Sequence, residues 1–286
     1  MNRRTADLLI VAVAMAWGIS YVFMKVGLQR IPPFQILAMR FLFAFFATAI
    51  MFAPQLRHCT RQTRIYGLMT GIALFCAYAS LSFGMTRTNA SAAGFLASVQ
   101  VLFVIMIRAF FQKHPPHRQE WIALLLLLIG LACMTLRQGF YPDPYSLLCL
   151  GCSLFYAIQI LLTEHYAPQV QSIPFGVIQL GSAGFLSLAG SALFEECSLH
   201  LRATDWATVC VLAMVCTAFS TITLAVAQRH TSSVRTGFIL TLEPVFSCIY
   251  AYCFLQERLS PSEVVGALLI LLGILVCIIP HNTKKI

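Results

Sequence analysis

The sequence has few charged residues. Asp, Glu, Lys and Arg make up 10% of its 286 residues, whereas a soluble domain carries about 25%. Hydrophobic residues make up 59%, and the mean hydropathy is +0.82. No soluble core could bury that much apolar surface, and no polar stretch is long enough to form a catalytic or nucleic-acid-binding domain. The composition therefore predicts an integral membrane protein that contacts membrane lipid and has no nucleic-acid partner.

Motifs for nucleotide hydrolysis, metal binding and disulfide bonding are also missing. The Walker A pattern Gly-x-x-x-x-Gly-Lys-Ser/Thr does not occur, and the seven histidines form no ligand cluster. The eleven cysteines are odd in number and lie mainly in apolar stretches, as small core residues do. Cys149 and Cys152 have a spacing used in metal and redox sites, but no second pair is nearby, so packing is favoured. We therefore expect no catalytic residue, no metal and no cofactor.

Acidic residues are scarcer than basic ones, and this imbalance indicates orientation. The chain has 10 Asp and Glu against 19 Lys and Arg, which gives a net charge of +9. If the N-terminus is cytoplasmic, the larger group of basic residues lies on the cytoplasmic side: Arg3, Arg4, Arg57, Arg61, Arg64, Lys113, Arg118, Arg229, Lys284 and Lys285. Because cytoplasmic loops of membrane proteins are enriched in Lys and Arg, we predict that both termini are cytoplasmic.

About ten apolar runs recur along the chain, each close to the roughly 20 residues that cross a 30 Å hydrocarbon layer as a helix. Short clusters of proline, glycine and polar residues separate the runs. The predicted spans are 6–26, 33–53, 66–85, 91–111, 120–136, 145–163, 174–194, 206–228, 231–255 and 261–279. The predicted fold class is therefore an all-α integral membrane protein with about ten transmembrane helices.

The chain contains an internal repeat. Residues 88–133 match residues 231–276 without a gap, at a constant offset of 143. The two copies share Gly94/Gly237, Phe95/Phe238, Phe103/Phe246, Phe111/Phe254, Glu120/Glu263 and Gly130/Gly273. We predict two five-helix repeats, residues 1–139 and 140–286, and because five is odd the second enters the membrane from the opposite side. Inverted repeats place a substrate site between the halves near the bilayer midplane, and rocking of one half exposes it to either side.

The ninth apolar run contains a proline and an acid at membrane depth. Pro244 cannot donate a backbone hydrogen bond to Leu240 and its ring crowds that turn, so we predict a helix kink. Glu243 precedes this proline and shares one helical face with Thr236 and Tyr250. Three roles of Glu243 stay open: a hydrogen bond that holds the kink, proton coupling, since removal from water favours the protonated carboxyl, or binding of a substrate ammonium group.

Three stretches near the C-terminus carry a recognisable pattern: 242–246 (Leu-Glu-Pro-Val-Phe), 255–261 (Leu-Gln-Glu-Arg-Leu-Ser-Pro) and 266–273 (Gly-Ala-Leu-Leu-Ile-Leu-Leu-Gly). They resemble the end of an EamA domain of the drug/metabolite transporter superfamily. The first half is similar to the opening of the same domain at Trp17-Gly18-x-Ser20, Pro32-Pro33 and Arg40-Phe41. The resemblance covers nearly the whole chain as two tandem domains.

The first half departs from the pattern at two places. Residues 100–101 (Gln-Val) stand where the second half has Glu243 and Pro244, and His114 stands where it has Glu257. Without the proline, we expect the fourth run to be a more regular helix than the ninth.

The resemblance implies a function. Members of the family are ten-helix carriers, mostly of the bacterial inner membrane, and many export amino acids, related metabolites or toxic small molecules. The expected function is thus export of small amphipathic metabolites such as amino acids by alternating access, without enzymatic activity and with possible proton coupling. An importer of the same fold, an intramembrane enzyme acting on a lipid substrate, and a membrane receptor or scaffold are the alternatives.

Eight residues are predicted to bind the substrate. Aromatic rings and amides suit a mostly apolar solute that is oriented by a few hydrogen bonds, and Gln100, the repeat equivalent of Glu243, needs a polar partner in mid-span. Arg40 matches the family's arginine and is expected to receive a substrate carboxylate or to pair with an acid at the outer mouth. For Arg108, extension of the side chain to the membrane surface is favoured. The predicted binding residues are Trp17, Tyr21, Arg40, Tyr78, Gln100, Gln159, Glu243 and Tyr250, with Phe95, Tyr156 and Phe238 as further aromatic candidates.

Regularly spaced glycines predict close helix packing. Gly67-x-x-x-Gly71 and the line of Gly266 and Gly273 would let helix backbones approach each other. Contacts inside the bundle are favoured over a dimer seam, and the sequence is compatible with both a monomer and a homodimer.

Overall fold

Helices account for nearly all of the described chain. The computed structural model describes residues 1–88, 90–111, 117–135, 144–196, 201–255 and 260–278, and these residues hold no β-strand. Their α-helices are α1 (Arg3–Gly27), α2 (Pro33–Met51), α3 (Ala53–Arg57), α4 (Arg61–Arg87), α5 (Ala90–Ser98), α6 (Gln100–Phe111), α7 (Arg118–Thr135), α8 (Pro144–Tyr166), α9 (Ser172–Phe194), α10 (Ala203–Ala213), α11 (Ser220–Ala227), α12 (Ser233–Leu240), α13 (Glu243–Leu255) and α14 (Pro261–Ile278). A 3₁₀ turn at Ala167–Gln169 follows α8, and a π-helical stretch at Met214–Phe219 joins α10 to α11.

Each predicted apolar run coincides with one helix or with two consecutive helices. Among the described residues, seven helical stretches are long and apolar enough to cross a membrane: Arg3–Gly27, Pro33–Met51, Arg61–Arg87, Ala93–Phe111, Pro144–Gln169, Ser172–Phe194 and Ala203–Ala227. A shorter apolar helix covers Pro261–Cys277. Large apolar side chains are exposed on the outside of the bundle, such as Ile50 at 78% and Phe110 at 76%. Such a surface suits hydrocarbon and not water, and the predicted all-α membrane fold is confirmed.

Glycines set the distance between the central helices. α4 packs along both α8 and α9. A Cβ on Gly71 would lie 2.5 Å from the Cβ of Ser182, and one on Gly84 would lie 2.3 Å from the Sγ of Cys149. Since no side chain fits at these positions, the predicted glycine line of Gly67 and Gly71 serves packing within the chain. Cys149 likewise has a packing role.

α7 and α14, the equivalent helices of the two repeats, pack against each other in antiparallel directions. A Cβ on Gly130 would meet the carbonyl oxygen of Gly266 at 2.7 Å, and one on Gly273 would meet that of Ala123 at 2.9 Å. The offset of 143 converts the first contact into the second, because it maps Gly130 onto Gly273 and Ala123 onto Gly266. The two helices are therefore related by a two-fold axis perpendicular to them, as an inverted repeat requires.

Two predicted runs are interrupted near their middles. The ninth breaks at Thr241 and Leu242, and Pro244 lies in the first turn of the helix that follows. The fourth breaks at Val99, the residue that the offset of 143 pairs with Leu242. The fourth run was expected to be a more regular helix than the ninth. It is also interrupted, but by one residue and not by two.

Hydroxyl side chains accompany both breaks. Ser98 Oγ donates to the carbonyl oxygen of Gly94 at 2.8 Å, and Thr241 Oγ1 donates to that of Phe238 at 2.5 Å. Ser98 and Thr241 are repeat equivalents, and each bonds a carbonyl of the preceding turn. A break at this position thus does not require a proline. The other departure between the halves, at 114 and 257, and the predicted boundary at 139 lie outside the described residues.

Candidate functional site

A buried cavity lies where α1, α2, α4 and α8 meet the adjoining ends of α5 and α6 and the start of α13. Its walls come from both repeats and are mainly apolar or aromatic. The cavity volume that the centre of a water-sized sphere can reach is about 30 Å³. This is enough for only a few water molecules. This space is smaller than the roughly 300 Å³ or more of a typical small-molecule pocket. The lining residues are Trp17, Ser20, Tyr21, Met24, Arg40, Tyr78, Leu81, Met85, Ala97, Gln100, Cys152, Tyr156 and Glu243.

Glu243 brings a carboxyl group to the cavity as the first residue of α13. It is 6% exposed, and the hydroxyl of Tyr21 donates to its Oε2 at 3.2 Å. α1 approaches the start of α13 closely because residue 18 is a glycine. A Cβ on Gly18 would lie 2.9 Å from the Cβ of Phe246 and 3.0 Å from the carbonyl oxygen of Glu243. The helix break in the second repeat thus presents a carboxyl group to a tyrosine of the first.

Arg40 is fully buried, with 0% of its surface exposed. It belongs to the first repeat, whereas Glu243 belongs to the second. Its Nε donates to Thr217 Oγ1 at 2.9 Å, and its guanidinium carbon lies 4.7 Å from the centre of the Tyr78 ring. Among the described residues, neither Nη1 nor Nη2 has a hydrogen-bond partner, and no carboxylate lies within 4.0 Å of the guanidinium. Pairing with an acid at the outer mouth is therefore corrected: Arg40 lies inside the bundle because Thr217 and Tyr78 hold it there.

A π-helical stretch supplies the partner of Arg40. Thr217 Oγ1 donates to the carbonyl oxygen of Leu212, five residues earlier, at 2.7 Å. Trp17 Nε1 donates to the carbonyl oxygen of Cys216 at 2.9 Å. π-Helical turns widen a helix locally and are frequent at functional sites. This stretch was not predicted; Thr217 and Ser220 each bond a carbonyl five residues earlier, and hydroxyl side chains that bond back to the helix backbone often bend a helix.

Aromatic rings connect Arg40 to Trp17 along one wall. Tyr78 lies edge-on to Phe41 at 5.1 Å between ring centres and hydrogen-bonds the hydroxyl of Tyr156 at 3.4 Å. Tyr156 in turn lies edge-on to Trp17 at 5.4 Å. Such edge-to-face contacts favour one arrangement of rings, so the wall is a defined apolar surface and not a loose set of side chains.

Six of the eight predicted binding residues line this cavity: Trp17, Tyr21, Arg40, Tyr78, Gln100 and Glu243. Tyr250 does not, because seven residues of helix place it about 10 Å along the axis from Glu243. Gln159 lies three residues beyond Tyr156 on α8, and its Nε2 donates to Thr163 Oγ1 at 3.1 Å and to Gln179 Oε1 at 3.3 Å. Gln159 thus belongs to a separate buried polar cluster between α8 and α9.

Six residues that line the cavity were not predicted, and most of them are small or contain sulfur. Their spacing along a helix relative to predicted residues could have indicated them. Cys152 precedes Tyr156 by one turn of α8, so both face the cavity. Phe95 and Phe238, which were further aromatic candidates, do not line it. The missed residues are Ser20, Met24, Leu81, Met85, Ala97 and Cys152.

α1 is bonded to its neighbours on both sides of the cavity. Near its start, Asp7 Oδ2 accepts a hydrogen bond from Nη2 of Arg235 on α12 at 2.5 Å, and both side chains are largely buried. Near its end, Lys25 Nζ donates to the carbonyl oxygens of Met85 and Thr88 at the end of α4, at 2.7 and 2.9 Å. The cavity residues of α1 lie between these two contacts.

Sequence comparisons identify what the chain is similar to. The EamA-like transporter family matches it twice, over residues 4–136 and 144–279. An "uncharacterized transporter" of Archaeoglobus fulgidus is 27% identical over 276 residues, which is 96% of this chain and 86% of that protein. A "probable amino-acid metabolite efflux pump" of Escherichia coli is 25% identical over 305 residues, covering 99% of this chain and 97% of the pump.

Structural comparison agrees on the fold. A solved crystal structure superposes with a TM-score of 0.81 over 97% of both chains, at 17% sequence identity. The arrangement of helices described above is therefore one that another protein adopts over nearly its full length.

Proposed function

Because the chain belongs to the EamA-like transporter family, we propose that it is a secondary carrier that exports small amphipathic metabolites, such as amino acids, across a bacterial cytoplasmic membrane. Membership of this family and the all-helical membrane fold make it a membrane transporter of the drug/metabolite type. The substrate class, the direction, the membrane and the cytoplasmic location of both termini are the proposed parts.

The observation that carries the proposal is a buried pair of ionisable groups in the mainly apolar cavity inside the bundle. Arg40 and Glu243 place two ionisable groups there, at 0% and 6% exposure. Ionisable groups within a membrane span are costly, and they mark paths for solutes or ions. Arg40 comes from the first half and Glu243 from the second, so movement of one half relative to the other changes the site.

Alternating access suits the observed contacts. α1 is bonded to Arg235 through Asp7 near its start and to the end of α4 through Lys25 near its end, and in the proposed mechanism each set of contacts closes the cavity toward one face of the membrane. Breaking one set while keeping the other would open the cavity to one face of the membrane only. Helices that are interrupted beside a cavity can bend there, so the breaks at Val99 and Leu242 suit such movement.

Export of amino acids is supported by the relatives and by the cavity wall. The pump of Escherichia coli and a relative of Salmonella typhimurium that is 24% identical over 306 residues share the description "probable amino-acid metabolite efflux pump". Trp17, Tyr78 and Tyr156 offer an apolar surface to a side chain, and Arg40 and Glu243 offer opposite charges to the ends of a zwitterion.

Counterflow in lipid vesicles tests the proposal. Vesicles that contain the purified protein and unlabelled amino acids are diluted into labelled amino acid, and the label retained inside is followed over time. We expect transient accumulation of intact label that protein-free vesicles do not show. Chemical conversion of the label, or no exchange with any of the 20 standard amino acids, contradicts the proposal.

A tyrosine pair provides the matched control. Tyr78→Phe removes a hydroxyl that bonds Tyr156 in the cavity wall, whereas Tyr250→Phe removes one outside the cavity. We expect exchange to fall by about 3- to 10-fold in the first variant, as the loss of one buried hydrogen bond implies, and to change little in the second.

A further inference from the structure

Two nitrogen atoms of Arg40 have no partner from the protein. Its guanidinium is fully buried and lines the cavity, and a guanidinium group is a cation with five N–H donors. Nη1 and Nη2 make no hydrogen bond with any described residue. A buried charge that makes neither an ion pair nor a full set of hydrogen bonds is strongly disfavoured, so a functional reason is needed for its retention.

The neighbours of Arg40 orient these two atoms. Thr217 Oγ1 accepts from Nε, and the guanidinium carbon lies over the ring of Tyr78, 4.7 Å from its centre. With Nε bonded, the end of the fork that carries Nη1 and Nη2 is the part left for another group. Two parallel N–H donors at this spacing match the two oxygen atoms of a carboxylate.

We propose that Arg40 is the carboxylate-binding residue of this carrier, held in position by Thr217 of the π-helical stretch, so that transported solutes must carry a carboxylate. The proposal rests on the carrier function and names the chemistry that the substrate requires. Thr217 acts through Arg40 and is a positioning residue.

The same cavity disfavours other anions and favours an amino acid. Glu243 adds a carboxyl group, and its ionised form would repel a phosphate dianion and attract an ammonium group. Glu243 and Arg40 do not pair with each other, since no described carboxylate lies within 4.0 Å of Arg40. A zwitterion, with its carboxylate on Arg40 and its ammonium group toward Glu243, meets both demands, and the aromatic wall contacts an apolar side chain.

A panel of phenylalanine analogues tests this on the unaltered protein. Counterflow of labelled phenylalanine is measured against competition by unlabelled phenylalanine, its methyl ester, phenethylamine, 3-phenylpropionate and phenyl phosphate. We expect the ester and phenethylamine, which lack the carboxylate, to compete about 10- to 100-fold more weakly than phenylalanine, as loss of a charge-assisted bond implies. Equal competition by these two compounds, or strongest competition by phenyl phosphate, overturns the proposal.

Variants of two arginines assign the effect to one residue. Arg40→Met should remove the preference for phenylalanine over its methyl ester, and Arg40→Lys should keep part of it. Arg108→Met is the matched control, since Arg108 also lies within a span but does not line the cavity. Retention of the full preference in a folded Arg40→Met protein contradicts the proposal.

Failure of the carrier function and failure of this inference give different results. If the unaltered protein exchanges no amino acid, the carrier assignment itself fails. If it exchanges phenylalanine and phenethylamine equally well, the carrier assignment stands and the role of Arg40 is refuted.

Discussion

Gln100 and Glu243 occupy equivalent positions in the two repeats, and each is the first residue of a helix that begins at the central cavity. An amide and a carboxyl group of nearly the same shape therefore meet at one site. The amide is neutral at all pH values, whereas the carboxyl can exchange a proton. This difference makes Glu243 the residue to test for proton coupling.

Glu243→Gln makes the two repeats equal at this position. We expect the variant to fold, because the side chain keeps its shape and Tyr21 can still donate to its oxygen atom. We also expect transport in vesicles to lose its dependence on pH. Glu263→Gln is the control and should keep the pH dependence. The Glu263 carboxyl lies at the start of α14, where it accepts a hydrogen bond from the backbone N–H of Ser260. Unchanged pH dependence in Glu243→Gln removes the coupling role.

Gly18→Ala should separate α1 from the start of α13. The added Cβ would meet Phe246 Cβ at 2.9 Å and the backbone of Glu243 at 3.0 Å, so a helix has to move. We expect a loss of stability of about 1–3 kcal/mol and a clear fall in transport. Gly151→Ala is the control, because its Cβ would meet only Ser80 Oγ at 3.9 Å. Thermal unfolding in detergent compares the two, and equal midpoints refute the packing account.

Thr217→Val should release Nε of Arg40 without changing the size of the side chain. We expect the apparent affinity for phenylalanine to fall by about 5- to 30-fold, since one hydrogen bond to a charged group is lost, and Thr217→Ser to restore most of it. Ser220→Ala is the control. It removes a similar hydrogen bond, from Ser220 Oγ to the carbonyl oxygen of Val215, and leaves the bond between Arg40 and Thr217 in place. Equal effects of Thr217→Val and Ser220→Ala indicate that only the helix shape matters.

The fold was predictable because hydropathy and length act locally. A run of about 20 apolar residues has few options other than a membrane-spanning helix, and the offset of 143 showed the duplication directly. The depth of Arg40 was not predictable, because it depends on Thr217, a residue 177 positions away in sequence on another helix. Tyr250 and Gln159 show the same limit: spacing along a helix gives the face of a side chain, but neighbouring helices decide whether a cavity lies there.

The break at Val99 was missed for a different reason. Pro244 predicts a kink in the ninth run, and Val101 at the equivalent position predicts a regular fourth run. The two runs instead share a hydroxyl residue at the equivalent position, Ser98 or Thr241, and both are interrupted just after it. Such a hydroxyl does not by itself interrupt a helix, since Thr70 and Ser187 bond carbonyls of the preceding turn in the same way within unbroken helices.

The contacts of α1 predict two variants with opposite effects. Asp7→Asn removes the ion pair with Arg235, and Lys25→Met removes two bonds to the end of α4. We expect each to open the cavity at its own end, the end of Asp7 being the cytoplasmic one in the proposed orientation. Cys152 lines the cavity and reports this opening through its rate of labelling by a membrane-impermeant thiol reagent. Faster labelling from the same side in both variants contradicts the account.

Labelling of Cys152 in a variant whose other ten cysteines are replaced by alanine tests the central claim most directly. Right-side-out and inside-out vesicles are exposed to the impermeant reagent with and without phenylalanine. A carrier that opens its central cavity to each face in turn should be labelled in both kinds of vesicle, and phenylalanine should alter both rates. Labelling from one face only, at a rate that no amino acid changes, would contradict the account.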